Sequence, residues 1–278
     1  MTRIFVIFNP AARGEKSQHL RQFLEAKRSD RVTLAPTQSA GDATRLAATA
    51  TGHDIVVAAG GDGTINEVVN GLHGPALGVL PLGTVNVFAK ELNIPSNLEA
   101  AWRVIEAGQT RTIDLGCAEA AGQTRAFVQL AGVGFDARAV RAASWELKKK
   151  IGPLAYVWAG LKTLTGSFPP VEAGTARGAA VFIGNGRFYG GRYRLFPDAR
   201  LDDGQLDVCV FENLKLLRHG WPILRGKHPG RRGVHYFQTD RVECRGVAPF
   251  ELDGEDAGDA PVTFTVKARA LQIGRAHV

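Results

Sequence analysis

The chain has 278 residues, 45% hydrophobic and 22% charged, with 33 glycines and 13 prolines. That composition is an ordinary globular one, long enough for one large or two modest domains, and high glycine and proline favour turn-rich sheets. A net charge of +7 favours anionic partners such as nucleotide phosphates, nucleic acid or an acidic membrane face, while no apolar run reaches the about 18–20 residues of a membrane span.

In chain order, residues 4–8 (IFVIF) read as a buried strand ending at Asn9-Pro10. A helical pattern follows at 15–27, a short strand at 31–35, and a second helix from Gly41-Asp42. Residues 54–59 form the next strand, closed by Gly60-Gly61-Asp62-Gly63-Thr64, with helix at 66–70. Residues 77–80 form another strand, ending at Pro81-Leu82-Gly83-Thr84, and helices at 86–92 and 96–107 lead to a strand at 110–117. Strands alternating with helices predict an open parallel sheet covered on both faces.

The rhythm changes near residue 116. Short β-like runs at 126–131, 179–183, 205–211, 241–245, 250–253 and 262–266 are punctuated by turns such as Asp202-Asp203-Gly204 and Leu252-Asp253-Gly254. This half predicts an antiparallel sandwich or barrel. A helix interrupts it at 151–168, where Ile151, Leu154, Trp158, Leu161 and Phe168 recur at helical spacing behind Lys148-Lys149-Lys150. The helix suits either packing on the sandwich or lining an acyl cleft. A basic, aromatic stretch at 215–232, including Trp221, suits contact with a membrane surface or with nucleic acid. It comes without a nucleic-acid-binding signature, so no nucleic-acid partner is expected.

Cys117, Cys209 and Cys244 are widely spaced, and the seven histidines show no metal-binding spacing. Neither a disulfide framework nor a zinc site is expected, and the cysteines suit buried positions in a reducing compartment. Residues 3–8 are too short for the apolar region of a signal peptide, so the expected location is cytoplasmic.

The polar, glycine-rich turns of the first half all follow strands, where open α/β sheets place their ligands. In Gly60–Thr64, three glycines in four positions allow a polyphosphate to approach the backbone ahead of a helix N-terminus, and Asp62 offers a carboxylate suited to magnesium. Neither G-x-x-x-x-G-K-[ST] nor G-x-G-x-x-G occurs. On spacing alone, a nucleotide-phosphate site and a plain strand-to-helix turn both remain open.

Gly60-Gly61-Asp62-Gly63-Thr64 followed by Ile65-Asn66-Glu67-Val68 resembles the signature of the diacylglycerol kinase catalytic family, which includes bacterial soluble lipid kinases and the sphingosine and ceramide kinases. The resemblance continues in order along nearly the whole chain. It runs through Asn9-Pro10 with Gly14, Thr37 with Gly41-Asp42-Ala43, and Pro81-Leu82-Gly83-Thr84-Val85-Asn86, then through Gly132-Val133-Gly134-Phe135-Asp136, Asp202-Asp203-Gly204 to Leu206-Asp207, and Asp253-Gly254-Glu255. The shorter G-G-D-G is shared with NAD kinases.

The resemblance implies a magnesium-dependent lipid kinase that moves the γ-phosphate of ATP to a lipid hydroxyl. An NAD-kinase-like enzyme, or a non-catalytic nucleotide- or lipid-binding module of the same fold, is the alternative. Residues 1–115, with about 268–278 returning to them, would form the ATP-binding domain, and 116–267 the lipid-binding sandwich. ATP would contact Asn9, Thr37, Gly60, Gly61, Asp62, Gly63, Thr64, Ile65, Asn66 and Thr84. Asp62 and Glu255 would be catalytic, with Glu255 the general base. A structural Mg2+ would sit on Asp203 with the carbonyls of Arg200 and Gln205. The implied partner is a lipid substrate met by peripheral contact with the inner membrane face, and a homodimer is compatible with the sequence. At Val87 the chain departs from the aspartate many members carry after the P-x-G-T-x-N asparagine, as sphingosine-type members also do. This implies an altered metal-linked water network and leaves the acceptor lipid open.

Overall fold

A computed structural model describes residues 2–10, 15–142, 169–191, 193–213 and 232–274, with backbone alone at 15–17. Gly14, the helical pattern at 151–168, the lysines at 148–150 and the basic stretch at 215–231 lie outside the described residues. The chain divides into two compact units, residues 1–113 with 269–278 and residues 114–268.

The first unit is built on parallel strands β1 (Ile4–Phe8), β2 (Val32–Pro36), β3 (Ile55–Gly60) and β4 (Ala76–Pro81), in the order β2-β1-β3-β4. The last strand of the chain, β18 (Val262–Gly274), joins β4 in parallel through Ile273 opposite Leu77. Every residue of β3 and β4 is buried, the pattern of a parallel sheet covered on both sides. The cover comes from helices packed in pairs. Helix α1 (Glu15–Lys27) meets α5 (Leu98–Glu106) through Phe23 and Trp102, whose rings stand edge to face at 6.0 Å. Helix α2 (Asp42–Thr49) packs on α3 (Asp62–Gly71) so tightly that a side chain at Gly71 would strike the Thr44 carbonyl. A short helix α4 (Val87–Glu91) follows β4.

Strand β5 (Thr110–Ala120) leads into the second unit and pairs antiparallel with β6 (Gln123–Phe127). A six-stranded antiparallel sheet runs β14-β13-β10-β7-β16-β17, formed by β7 (Leu130–Gly134), β10 (Ala180–Gly184), β13 (Leu206–Phe211), β14 (Val234–Thr239), β16 (Pro249–Leu252) and β17 (Glu255–Asp259). A second antiparallel group contains β8 (Val171–Ala173), β9 (Ala176–Gly178), β15 (Arg241–Arg245) and the first half of β18. Alternate residues from the two groups, among them Val133, Ile183, Val208, Leu252, Cys244, Val262 and Phe264, interdigitate in one core. The result is a sandwich. Helix α6 (Phe135–Ala142) covers the other face of the six-stranded sheet, and a small hairpin, β11 (Phe188–Tyr189) with β12 (Tyr193–Arg194), lies beyond it in sequence.

Three details differ from the sequence reading. The glycine segment is barely a loop, because α3 begins at Asp62, with Gly61 extended before it. The run 126–131 is two strands, broken at Val128-Gln129, where backbone amides turn to a side-chain carboxylate instead of a neighbouring strand. Helix α6 and the strands β8, β9, β11, β12, β14 and β17 are additional elements.

Candidate active site

The order β2-β1-β3-β4 reverses direction between β1 and β3, and a doubly wound sheet opens its ligand crevice at the carboxyl ends flanking such a reversal. The register brings the sequence motifs to that one edge. Phe8 is level with Pro36 and Ala59, and Gly60 with Pro81, so Asn9, Thr37, Gly60-Gly61 and Leu82-Gly83-Thr84 leave neighbouring strand ends together. Asn9 and Thr84 are exposed and Thr37 is half-buried, its amide donating to the Phe8 carbonyl at 2.9 Å.

The glycines here leave no room for a side chain. A side chain on Gly83 would come within 2.7 Å of the Gly61 Cα, and one on Gly60 within 2.4 Å of Thr64 Oγ1. The two turns therefore touch backbone to backbone, and α3 starts with a glycine cap that offers its first-turn amides no side-chain acceptor. Such a row of donors at a helix N-terminus suits an anion. Asp62 is held within this edge. Its carboxylate accepts the amides of Val87 at 3.1 Å and Phe88 at 3.2 Å, capping α4. Burial raises its pKa, against the pull of those amides and of Lys90. Val87 thus reaches Asp62 through its backbone. Ile65 belongs to the core, its amide bonded to the Gly61 carbonyl, and Asn66 is buried one step further along the helix, accepting from Asn70 Nδ2.

The second unit holds the remaining candidates in two places. Asp202-Asp203-Gly204 turns just before β13. Asp203 accepts the Gln205 amide at 3.1 Å, and buried Asp114 accepts the Gly204 amide at 2.7 Å. Partial burial raises the Asp203 pKa, the Gln205 amide opposes this, and the Asp114 charge pushes it further up. Two carboxylates that repel each other beside a turn are a setting that a hard cation relieves, and Mg2+ takes one or two carboxylates with carbonyls and water. The residues fit such an ion, although the described residues contain no group of three or more His, Cys, Asp or Glu side chains placed to hold a metal.

Glu255 opens β17 after the two-residue turn Asp253-Gly254, both of positive φ (49° and 86°), and its side chain is exposed. That turn is tethered. The Asp253 carboxylate accepts the amides of Val128 at 2.8 Å, Gln129 at 2.9 Å and Leu130 at 3.1 Å, and the Asp253 amide donates to the Leu130 carbonyl. From the other strand, buried Glu251 accepts the Gly254 amide at 2.6 Å. Asp253, Glu251 and Asp136 were motif letters or strand positions in the sequence. The one signal that could have marked Asp253 is its place before glycine in a hairpin turn.

A doubly wound sheet whose strand ends carry N-P, G-G-D-G-T and P-x-G-T-x-N, followed by an antiparallel sandwich, defines a kinase class with the NAD kinase fold. A diacylglycerol kinase structure from Bacillus anthracis superposes with a TM-score of 0.75 at 24% identity over 99% of this chain and 97% of that one. An Archaeoglobus fulgidus NAD kinase, solved in complex with ATP, does so with a TM-score of 0.53 at 12% identity over 99% and 94%. These likenesses establish the fold.

The sequence matches are closer. Residues 3–118 match the diacylglycerol kinase catalytic domain, and residues 129–275 the YegS C-terminal NAD kinase beta sandwich-like domain. The chain belongs to the diacylglycerol kinase catalytic family and is a phosphotransferase with an alcohol acceptor. Bacillus subtilis diacylglycerol kinase is 34% identical over 98% of this chain and 96% of its own, and a Staphylococcus aureus diacylglycerol kinase is 32% identical over 98% and 91%. Among the described residues no helix is long and apolar enough to cross a membrane.

Proposed function

We propose that this enzyme transfers the γ-phosphate of ATP to a hydroxyl of a membrane lipid, working in the cytoplasm and meeting its substrate at the inner membrane face. The observation that carries the reading is the convergence of Asn9, Thr37, Gly60–Thr64 and Thr84 on the carboxyl edge of one parallel sheet at its switch point. The uncapped first turn of α3 and the close-packed glycines suit a polyphosphate, and Asp62, held by two amides, is positioned rather than free to swing.

Phosphoryl transfer asks for positioning and charge neutralisation more than covalent chemistry. Glu255, exposed on a turn fixed from both sides, takes the proton from the acceptor hydroxyl in this reading. Mg2+ would be held by Asp203 with the carbonyls of Arg200 and Gln205, relieving the repulsion between Asp203 and Asp114. It would supply charge neutralisation there. The +7 charge of the chain suits an approach to anionic headgroups.

The test is incubation with labelled ATP, magnesium and fractionated lipids, followed by identification of the product. Label in a lipid phosphate is expected, whereas label in NAD and in no lipid would overturn the reading. Glu255→Gln should keep nucleotide binding and lose about 10²-fold or more in turnover, the usual scale of general-base catalysis. Undiminished turnover would remove Glu255 from the mechanism.

A further inference from the structure

The six-stranded sheet carries a buried pair of carboxyl groups that neither the motifs nor the proposed chemistry uses. Side chains alternate along its strands, so Val133, Leu252 and Ile183 face the sandwich core while Gly132, Glu251 and Phe182 form a row on the opposite face. Helix α6 packs over that row, and Asp136 in its first turn points at it. Gly132 leaves the room. If it carried a Cβ, that atom would lie 2.6 Å from Asp136 Oδ2 and 2.9 Å from Glu251 Oε1, so the two carboxyls meet above a residue without a side chain. Both residues are buried, with 6% and 1% of their surface exposed.

Their other oxygens are committed. Asp136 Oδ1 accepts the Tyr189 hydroxyl at 2.6 Å, and that ring stands edge to face on Phe182 at 5.4 Å. Glu251 Oε2 accepts the Gly254 amide at 2.6 Å. Glu251 Oε1 is buried and receives no N–H or O–H from any described residue, leaving Asp136 Oδ2 as the atom it faces.

Among the described residues no cation pairs with either carboxyl. The α6 arginines are turned elsewhere, Arg138 to the Val247 carbonyl and Arg141 to Asp256, Asp259 and the Gly258 carbonyl. The further charge bearing on Glu251 is Asp253, another negative one. Two buried carboxylates without a cation are strongly disfavoured, and one shared proton removes the repulsion.

We infer that Asp136 and Glu251 hold one proton between them, on Glu251 Oε1 and donated to Asp136 Oδ2, and that this bond fixes the Asp253-Gly254 turn and so aims Glu255. Asp136, Glu251 and Tyr189 are then positioning residues. The catalytic half of the inference rests on Glu255 acting as the base; the proton itself does not. Burial first, and then the neighbouring Asp136 charge, raise the Glu251 pKa well above the carboxylate range, in keeping with the proton residing there.

The sign for stability follows from this. A carboxyl that keeps its proton to higher pH when folded contributes stability that is complete below its unfolded pKa and is lost as pH rises toward its folded one. Glu251→Gln preserves the geometry, because the amide oxygen still accepts from Gly254 and the NH2 donates permanently to Asp136.

The first measurement is denaturant unfolding of the wild type and Glu251→Gln between about pH 5 and about pH 9, the range in which buried carboxyls titrate. The wild type should lose stability with rising pH relative to the variant, and parallel curves would overturn the shared proton. The second is turnover. Glu251→Ala should lower kcat about 10²-fold, the scale of a displaced catalytic group, with nucleotide affinity unchanged. Glu251→Gln should stay active and lose any alkaline decline in kcat/KM that the wild type shows. If Glu251→Ala does not fold, Asp136→Asn replaces it and should reproduce the Glu251→Gln profile. Wild-type kcat in Glu251→Ala, or an alkaline limb retained in the amide variants, would overturn the positioning role. Failure of Glu255 as base would show instead in Glu255→Gln and leave the unfolding difference intact.

Discussion

The turn at Asp62 and the turn at Asp253 use the same device to opposite ends. In each, an aspartate before glycine holds a row of backbone amides from a distant segment, Val87 and Phe88 in one case and Val128, Gln129 and Leu130 in the other. They differ in their own amides. At Asp62 the first turn of α3 receives no side-chain cap, so its donors stay available for an anion. At Asp253 the following amide, that of Gly254, is already taken by Glu251. One turn is an open cradle and the other is internally satisfied, presenting Glu255 alone. A phosphate-binding turn must leave hydrogen bonds unmade, whereas a turn that carries a base needs them made.

The largest effect that would break this comparison is at Asp62. Asp62→Ala should reduce phosphoryl transfer below detection and also cost about 1–3 kcal/mol, because amides near the start of α4 lose their acceptor. Asp62→Asn separates the two roles, since it keeps an acceptor while removing the charge. Activity in Asp62→Asn near that of the wild type, measured at saturating ATP and magnesium, would show the residue to be a cap and nothing more.

Asp253→Ala comes next, and its effect should appear mainly as lost stability. It strips an acceptor from three amides and leaves alanine at a φ of 49°, which aspartate and asparagine tolerate better. A loss of about 3 kcal/mol or more in denaturant unfolding is expected, with Asp253→Asn losing clearly less. Equal losses would mean that the carboxylate oxygens are not what holds the turn.

The two regions were unequally legible in the sequence. The first unit announces itself because buried parallel strands are unbroken apolar runs, as in Ile4–Phe8 and Ile55–Gly60, and because its ligand edge is fixed by topology once strands and turns are known. The Asp253 turn is different. β17 (EDAGD) has neither alternation nor β-branched residues, and it is an edge strand held by its hairpin partner and by Arg141. The break between β6 and β7 is made by a carboxylate 125 residues away from Val128. Glu251 reads as one polar residue in an apolar strand, and nothing local tells which partner neutralises it. The acceptor lipid is illegible for a related reason, since clefts for acyl chains are built from interchangeable apolar side chains.

The smallest effect is at Arg141, which grips the strand that carries Glu255. Its guanidinium donates to Asp256 at 2.8 Å, Asp259 at 3.0 Å and the Gly258 carbonyl at 2.9 Å. The Arg141 side chain is 40% exposed and those of Asp256 and Asp259 are 42% and 66% exposed, so solvent and salt screen the pair. Arg141→Ala should therefore cost no more than about 1 kcal/mol, and less at high salt. Its pH signature is the sharper measurement. Partial burial pushes the Asp256 carboxyl up, but the bond to Arg141, the Arg141 charge and the Gly258 and Ala257 amides together outweigh it and leave the pKa lowered. A carboxyl depressed in the folded state contributes stability present above its unfolded pKa and lost as pH falls through its folded one. Glu251, on the partner strand of the same hairpin, has the reverse dependence. Arg141→Ala should then flatten the acid side of the stability profile and Glu251→Gln the alkaline side, each leaving the other intact. If either variant alters both sides, the hairpin responds as one electrostatic unit, and the proton near Gly132 cannot be separated from the ion pair at its edge.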